Sequence, residues 1–135
     1  MTAEARPARP GILVVDDDPF LLNLLQAVLA RQGFRVWGCA SGEEALHTYR
    51  LHQAELTVVL LDVCMPGLDG PTTLGELRRL NPGVRACFMS GHTGSYSVED
   101  LLGLGALRFF DKPFQIQPLA EGLWKLASDE VRQSA

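Results

Sequence analysis

Asp16, Asp17 and Asp18 stand together directly after the apolar run Ile12 to Val15. Asp62 directly follows a second run, Leu56 to Leu61. Ser90 and Gly91 close a third stretch, Val84 to Met89, apolar but for Arg85, and Asp111, Lys112 and Pro113 close a fourth, Leu107 to Phe110, apolar but for Arg108. If these runs are strands of one parallel sheet, acids, a hydroxyl and an ammonium meet at one edge. Active residues gather at the carboxyl ends of strands in such sheets.

Two carboxylates ~4 Å apart repel by about 4 kcal/mol at an effective dielectric near 20. A raised pKa, the lysine or a divalent cation must offset that. Hard carboxylate oxygens that leave waters on the ion suit Mg²⁺, with Mn²⁺ as a substitute. No CxxC or Cys/His spacing suggests zinc. An ion held by one or two aspartates keeps positions open for phosphoryl oxygens. An adjacent free carboxylate could then attack phosphorus and give an acyl phosphate. Lysine and serine would hold the other equatorial oxygens.

The elements that must position these groups follow from the intervening sequence. Pro19 can open a helix, and Leu21, Leu24, Leu25 and Val28 recur at helical spacing, widened by Leu22 and Leu29, up to a stop at Gly33. Arg35 to Ala40 is a weaker strand. Ser41 and Glu44 have the spacing of a capping box before a helix that runs to about His52. Pro66 to Pro71 is loop chemistry. Leu74, Leu77 and Leu80 predict a third helix, Val98, Leu101, Leu102 and Gly105 a fourth, and Ile116, Leu119, Leu123 and Leu126 a fifth. Residues 1–10 read as a loose tail, 11–128 as one domain and 129–135 as a polar tail. Strand then helix, five times, predicts an α/β fold: a five-stranded parallel sheet with helices on both faces.

Composition bounds the function. At 135 residues, 47% hydrophobic and 21% charged, the chain reads as one globular domain. The net charge is −4, with 12 basic against 16 acidic residues, a poor match for a phosphate backbone, so no direct nucleic-acid partner is expected. Apolar runs such as Val58 to Leu61 fall far short of the ~20 residues of a membrane span, and the N-terminus lacks a signal peptide's apolar stretch. Three cysteines, Cys39, Cys64 and Cys87, are an odd number. A reduced, cytoplasmic protein is expected, with no membrane partner.

Four stretches together resemble the receiver domain of two-component response regulators. They are Ile12 to Pro19, Leu60 to Gly70, Phe88 to Gly91 and Asp111 to Phe114, in order and spanning residues 12–114. The resemblance implies a flavodoxin-like (βα)5 fold with strand order 2-1-3-4-5. It makes Asp62 the phosphoacceptor. Asp17 and Asp62 would ligate Mg²⁺ through their side chains, Asp16 directly or through water, with the main-chain carbonyl of Cys64 as a further ligand. Ser90 and Lys112 would bind the phosphoryl group, and the Lys112–Pro113 bond would be cis. Phe109 occupies the position of an aromatic switch residue that follows Ser90, though it lacks the hydroxyl of the tyrosine often found there. Cys64 and His92 sit at positions that tune phosphoryl lifetime.

The same resemblance implies the partners. A histidine kinase or a histidine phosphotransfer protein would dock at the first helix, near Phe20. A downstream protein or a second copy would use the face of the fourth helix, fifth strand and fifth helix, including residues 98–106 and Phe109. The chain would be no enzyme in the ordinary sense, catalysing only its own phosphoryl transfer and dephosphorylation. It is expected to be a single-domain regulator, a phosphorelay shuttle or the receiver of a hybrid kinase.

Blander readings compete residue by residue. Asp18 is expected to cap the first helix. Taken alone, Ser90 would be loop and Lys112 surface. Cys39 and Cys87 read as small buried hydrophobes, Trp37 and Trp124 as packing residues, and His47, His52 and His92 as surface or half-buried groups. Two other functions share the topology. A phosphohydrolase using Asp16 and Asp18 would want a threonine or similar group just after the pair and a later acidic pair, and neither is present. A flavin carrier would want a hydroxyl-rich phosphate loop where three aspartates stand.

Overall fold

The computed structural model describes residues 9–134. The expected tail at residues 1–8 lies outside them. Pro10 is already tied to the sheet, its carbonyl accepting from Arg35 N at 2.9 Å.

The strands are β1 (Gly11–Val15), β2 (Arg35–Cys39), β3 (Leu56–Asp62), β4 (Ala86–Ser90) and β5 (Phe109–Asp111). The helices are α1 (Pro19–Arg31), α2 (Gly42–His52), α3 (Gly70–Leu80), α4 (Val98–Gly103) and α5 (Ile116–Ser134), with a 3-10 turn at Gln53–Glu55. The sheet is parallel throughout, in the order β2-β1-β3-β4-β5. β1 and β3 are central and buried on both faces, which is why they read as near-continuous apolar runs, broken in β3 only by the half-buried Thr57 before Asp62 ends it.

Alternation along the strands divides the core in two. Leu13, Val15, Val59, Leu61 and Phe88 face Tyr49 of α2 and Leu74 and Leu77 of α3. Ile12, Val14, Val58, Leu60, Cys87 and Met89 face Leu22, Leu25 and Leu29 of α1 and Leu119 and Leu123 of α5. Each such leucine contributes roughly 1.5–3 kcal/mol on burial. These two layers hold the strand ends rigid.

Several boundaries differ from the periodic pattern. On α1 the buried stripe is Leu22, Leu25 and Leu29, whereas Leu24 is exposed. On α4 only Leu101 is buried; the helix ends at Gly103 and Leu102 faces solvent at 42%. α5 runs on to Ser134, through most of the residues expected as a polar tail. The box at α2 is also altered: Ser41 Oγ accepts from Glu44 N at 3.1 Å, but Glu44 reaches back to Ala40 N, not to the cap itself. Gly33, at φ 98°, takes the left-handed turn that ends α1 and lies against Trp124, whose ring meets Phe34 edge-on at 5.3 Å.

Candidate functional site

Strand register brings the acids together. Val15 pairs with Leu61, so Asp16 and Asp62 fall on the next rung, at the carboxyl ends of the two central strands. Asp16 N donates to Cys39 O at 3.1 Å and Val63 N to Met89 O at 3.1 Å, which pins both turns to neighbouring strands. Behind Asp62, Gly70 opens α3 so closely that a Cβ there would run into the Asp62 carbonyl. Asp16 and Asp62 are buried, and Asp17 is exposed. One carboxylate oxygen from each of the three lies within 4.8 Å of the others.

Lys112 reaches this cluster from the end of β5, where its N–H donates to Ser90 O at 3.0 Å. Its ammonium donates to Asp16 Oδ2 at 2.8 Å and to Asp62 Oδ1 at 3.1 Å. The Lys112–Pro113 bond is cis.

The electrostatics are those of crowded acids around one cation. Burial, and then the charge of Asp16, push the Asp62 carboxyl up to about 6, with Lys112 pulling the other way. Burial works against the Lys112 ammonium, but its bonds to Asp16 and Asp62 raise its pKa all the same. A second cation would relieve the remaining repulsion. Three hard oxygen donors, one on an exposed side chain, fit a divalent ion that keeps part of its water shell.

Asp18 caps α1, its Oδ1 accepting from Phe20 N at 3.0 Å and Leu21 N at 3.4 Å. It is therefore no partner for Asp16 in a hydrolase pair. Asp16 Oδ1 accepts from Asp18 N at 2.9 Å, which fixes its orientation.

Ser90 is buried at the end of β4, and its hydroxyl is engaged locally, donating to His92 O at 2.6 Å and accepting from His92 N at 3.0 Å. The exposed Cys64 donates from Sγ to the same His92 carbonyl at 3.0 Å. Burial, then the charges of Asp62, Asp69 and Asp17, raise the Cys64 thiol pKa. Phe109 is half-buried and packs on the α2–α3 side of the sheet, while Phe110 is buried on the other.

Cys39 and Cys87 are buried, with burial pushing their thiols to about 11 and about 12. His47 and His92 are exposed, and His52 is half-buried, bonded to Glu55 at 3.0 Å and tilted against Trp37 at 5.1 Å.

Two residues near the site escaped sequence reasoning. Asp69 caps α3, accepting from Thr72 N at 2.9 Å, and its other oxygen accepts from Tyr96 OH at 3.0 Å. The cap is readable from Asp69 before Gly70 and Pro71. The bond to Tyr96 spans 27 residues and has no local signal.

Comparison with known proteins agrees with this geometry. The family described as "Response regulator receiver domain" matches residues 12–123. The chain is 33% identical to the chemotaxis protein CheY of Bacillus subtilis, over 84% of this chain and 94% of that protein. It is 36% identical to the sensor kinase CckA of Brucella abortus over 81% of this chain, but spans only 11% of that kinase. Among solved structures, CheY in the CheX–CheY–BeF3–Mg complex of Borrelia burgdorferi superposes with TM-score 0.79 at 29% identity, covering 87% of this chain and 88% of that one. Among the described residues, no helix is long and apolar enough to cross a membrane.

Proposed function

The chain belongs to the response regulator receiver domain family, and on that premise we propose that Asp62 accepts a phosphoryl group from a histidine kinase or a histidine phosphotransfer protein. Receiver domains are phosphoacceptor switches of two-component phosphorelay signalling. The observation that carries the residue-level reading is the Lys112 ammonium bridging Asp16 and Asp62 beside Asp17.

In the transfer, an Asp62 carboxylate oxygen attacks phosphorus and the P–N bond of the phosphohistidine breaks. The electron pair returns to the imidazole nitrogen, and an acyl phosphate remains on Asp62. Lys112 moves from carboxylate to phosphoryl oxygen as charge develops there. Mg²⁺, or Mn²⁺ in its place, would be held by Asp16, Asp17, Asp62 and the Cys64 carbonyl, and supplies charge neutralisation for the phosphoryl oxygens. Hydrolysis later regenerates Asp62 by attack of water on phosphorus. The protein catalyses these steps on itself alone.

Ser90 would leave His92 to bond the phosphoryl group, and Phe109 would follow it inward. Two states a few kcal/mol apart suffice for such a signal. The donor protein would dock on α1. There Phe20 is 79% exposed and Leu24 joins it along an open groove of about 500 Å³ that ends at Lys112, Pro113 and Phe114. Output would use the α4–β5–α5 face, where Val98, Leu102, Leu104 and Leu107 leave apolar surface uncovered near Phe109. The occupant is a protein or a second copy. The net charge of −4 disfavours nucleic acid. A cytoplasmic setting follows from a kinase donor and three unpaired thiols.

The test is labelling with radioactive phosphoramidate and Mg²⁺. A base-labile adduct on Asp62, absent from Asp62→Asn, is expected. Wild-type labelling of the variant would remove Asp62 from its role.

A further inference from the structure

The loop after β4, residues 91–97, is bonded at both ends to the loop that follows Asp62. At its near end the His92 carbonyl accepts from Cys64 Sγ at 3.0 Å and from Ser90 Oγ at 2.6 Å. At its far end Tyr96 OH donates to Asp69 Oδ2 at 3.0 Å. The Tyr96 carbonyl is in turn held by the Thr93 hydroxyl. Asp69 is itself anchored: its Oδ1 caps α3, and its neighbour Gly70 lies hard against the Asp62 carbonyl. Tyr96 is thus fastened to the unit that carries Asp62.

A serine hydroxyl has one proton to give. In this arrangement Ser90 gives it to His92, so engaging a phosphoryl oxygen requires that bond to break, and the His92 carbonyl loses one of its two donors. Tyr96 packs half-buried on the same apolar cluster as Phe109.

We propose that the Tyr96–Asp69 hydrogen bond is a latch that holds the loop after β4 in its resting arrangement. Tyr96 is then a positioning residue that sets how readily Ser90 meets the phosphoryl group. This rests on the assignment of Asp62 as phosphoacceptor. A contact made in one state only lowers the population of the other by its own strength. For one hydrogen bond of ordinary net strength the factor is roughly three to ten.

Two substitutions isolate the latch. Tyr96→Phe removes the hydroxyl alone. Asp69→Ser keeps a good N-cap for α3 but has no second oxygen for Tyr96. The readouts are the initial rate of labelling by phosphoramidate with Mg²⁺, the apparent affinity for beryllofluoride with Mg²⁺, and the urea midpoint. Each variant is expected to label faster and bind beryllofluoride more tightly, by roughly three- to tenfold. The double variant should gain no more than either single one, because both remove the same bond. A bond that only stabilises the fold would lower the urea midpoint and leave rate and affinity unchanged or reduced, which overturns the latch. Normal labelling of the wild type with an unaltered Tyr96→Phe overturns the latch alone. No labelling of the wild type overturns the assignment of Asp62 and the latch with it.

Discussion

The Lys112 ammonium lies 3.1 Å from Asp62 Oδ1, although the two residues are 50 apart in sequence and β4 runs between their strands. Asp16, from the other central strand, holds the same ammonium at 2.8 Å. Asp62 alone would offer a charge in a poor dielectric. With Lys112 it becomes a carboxylate with a cation beside it, the partner that the proposed dianionic phosphoryl group would take over.

The first prediction concerns pH. In the metal-free protein Asp62 is raised from 3.8 to about 6 by burial and by Asp16. The fold therefore binds more protons than the unfolded chain between those values, so Asp62's contribution to stability falls as pH rises through that window. Two units correspond to at most about 3 kcal/mol. Urea unfolding without divalent metal, from pH 4 to 7, should show a steeper decline in the wild type than in Asp62→Asn. Parallel curves would mean that Asp62 is not strained by its neighbours.

The second prediction removes the cation. Lys112→Ala leaves Asp16 and Asp62 facing each other, both buried, with Asp17 close by. Loss of one partner from a buried charge cluster costs about 3–5 kcal/mol; the half-open site here places the loss near ~2–3 kcal/mol. Added Mg²⁺ should restore more stability to Lys112→Ala than to the wild type, since the ion replaces the missing charge. Thermal melts with and without the metal decide it. An equal shift in both proteins would separate the lysine from the acids expected to hold the metal.

How far the sequence speaks depends on the range of the interaction. Asp16, Asp17, Asp62 and Lys112 are legible because each stands within two residues of the end of a strand-like stretch, and a parallel sheet has one carboxyl edge. The Asp18 cap was legible because its partners are two and three residues away. Helical periodicity overreached where neighbours decide burial. Leu24 and Leu102 have the right spacing, yet α1 turns Leu22 inward and α4 is too short to cover more than Leu101. Ser97 and Asp100 form a complete capping box whose spacing is plain in the sequence, and it marks where α4 starts better than the leucines do. The Tyr96–Asp69 bond has no signal in the sequence, since only the folded loops bring the two together.

The third prediction tests the acid cluster as a whole. Cancelling repulsion among three carboxylates stabilises whichever state binds the ion. Millimolar Mg²⁺ or Mn²⁺ should raise the melting temperature by several degrees, consistent with about 1–2 kcal/mol for a small domain. Asp17→Asn should lose most of that shift while keeping its fold, because Asp17 is exposed and supports no buried neighbour. A full shift in Asp17→Asn would place the ion elsewhere.

The last prediction separates donor docking from chemistry. Phe20 is exposed at the head of α1, yet the Asp18 cap beneath it fixes the backbone that carries it. An exposed aromatic side chain on a fixed backbone beside an apolar groove is the kind of anchor that dominates interface energetics. Phe20→Ala should therefore leave the melting temperature and the rate of labelling by phosphoramidate within about twofold, since it buries little and touches no acid of the cluster. Phosphotransfer from a histidine kinase of the same genome should slow by about tenfold or more, through a weaker encounter complex. A rise in the apparent KM for phosphorylated kinase with an unchanged limiting rate is the expected pattern. An equal loss with the kinase and with phosphoramidate would show that Phe20 acts on the fold or the chemistry rather than on the partner.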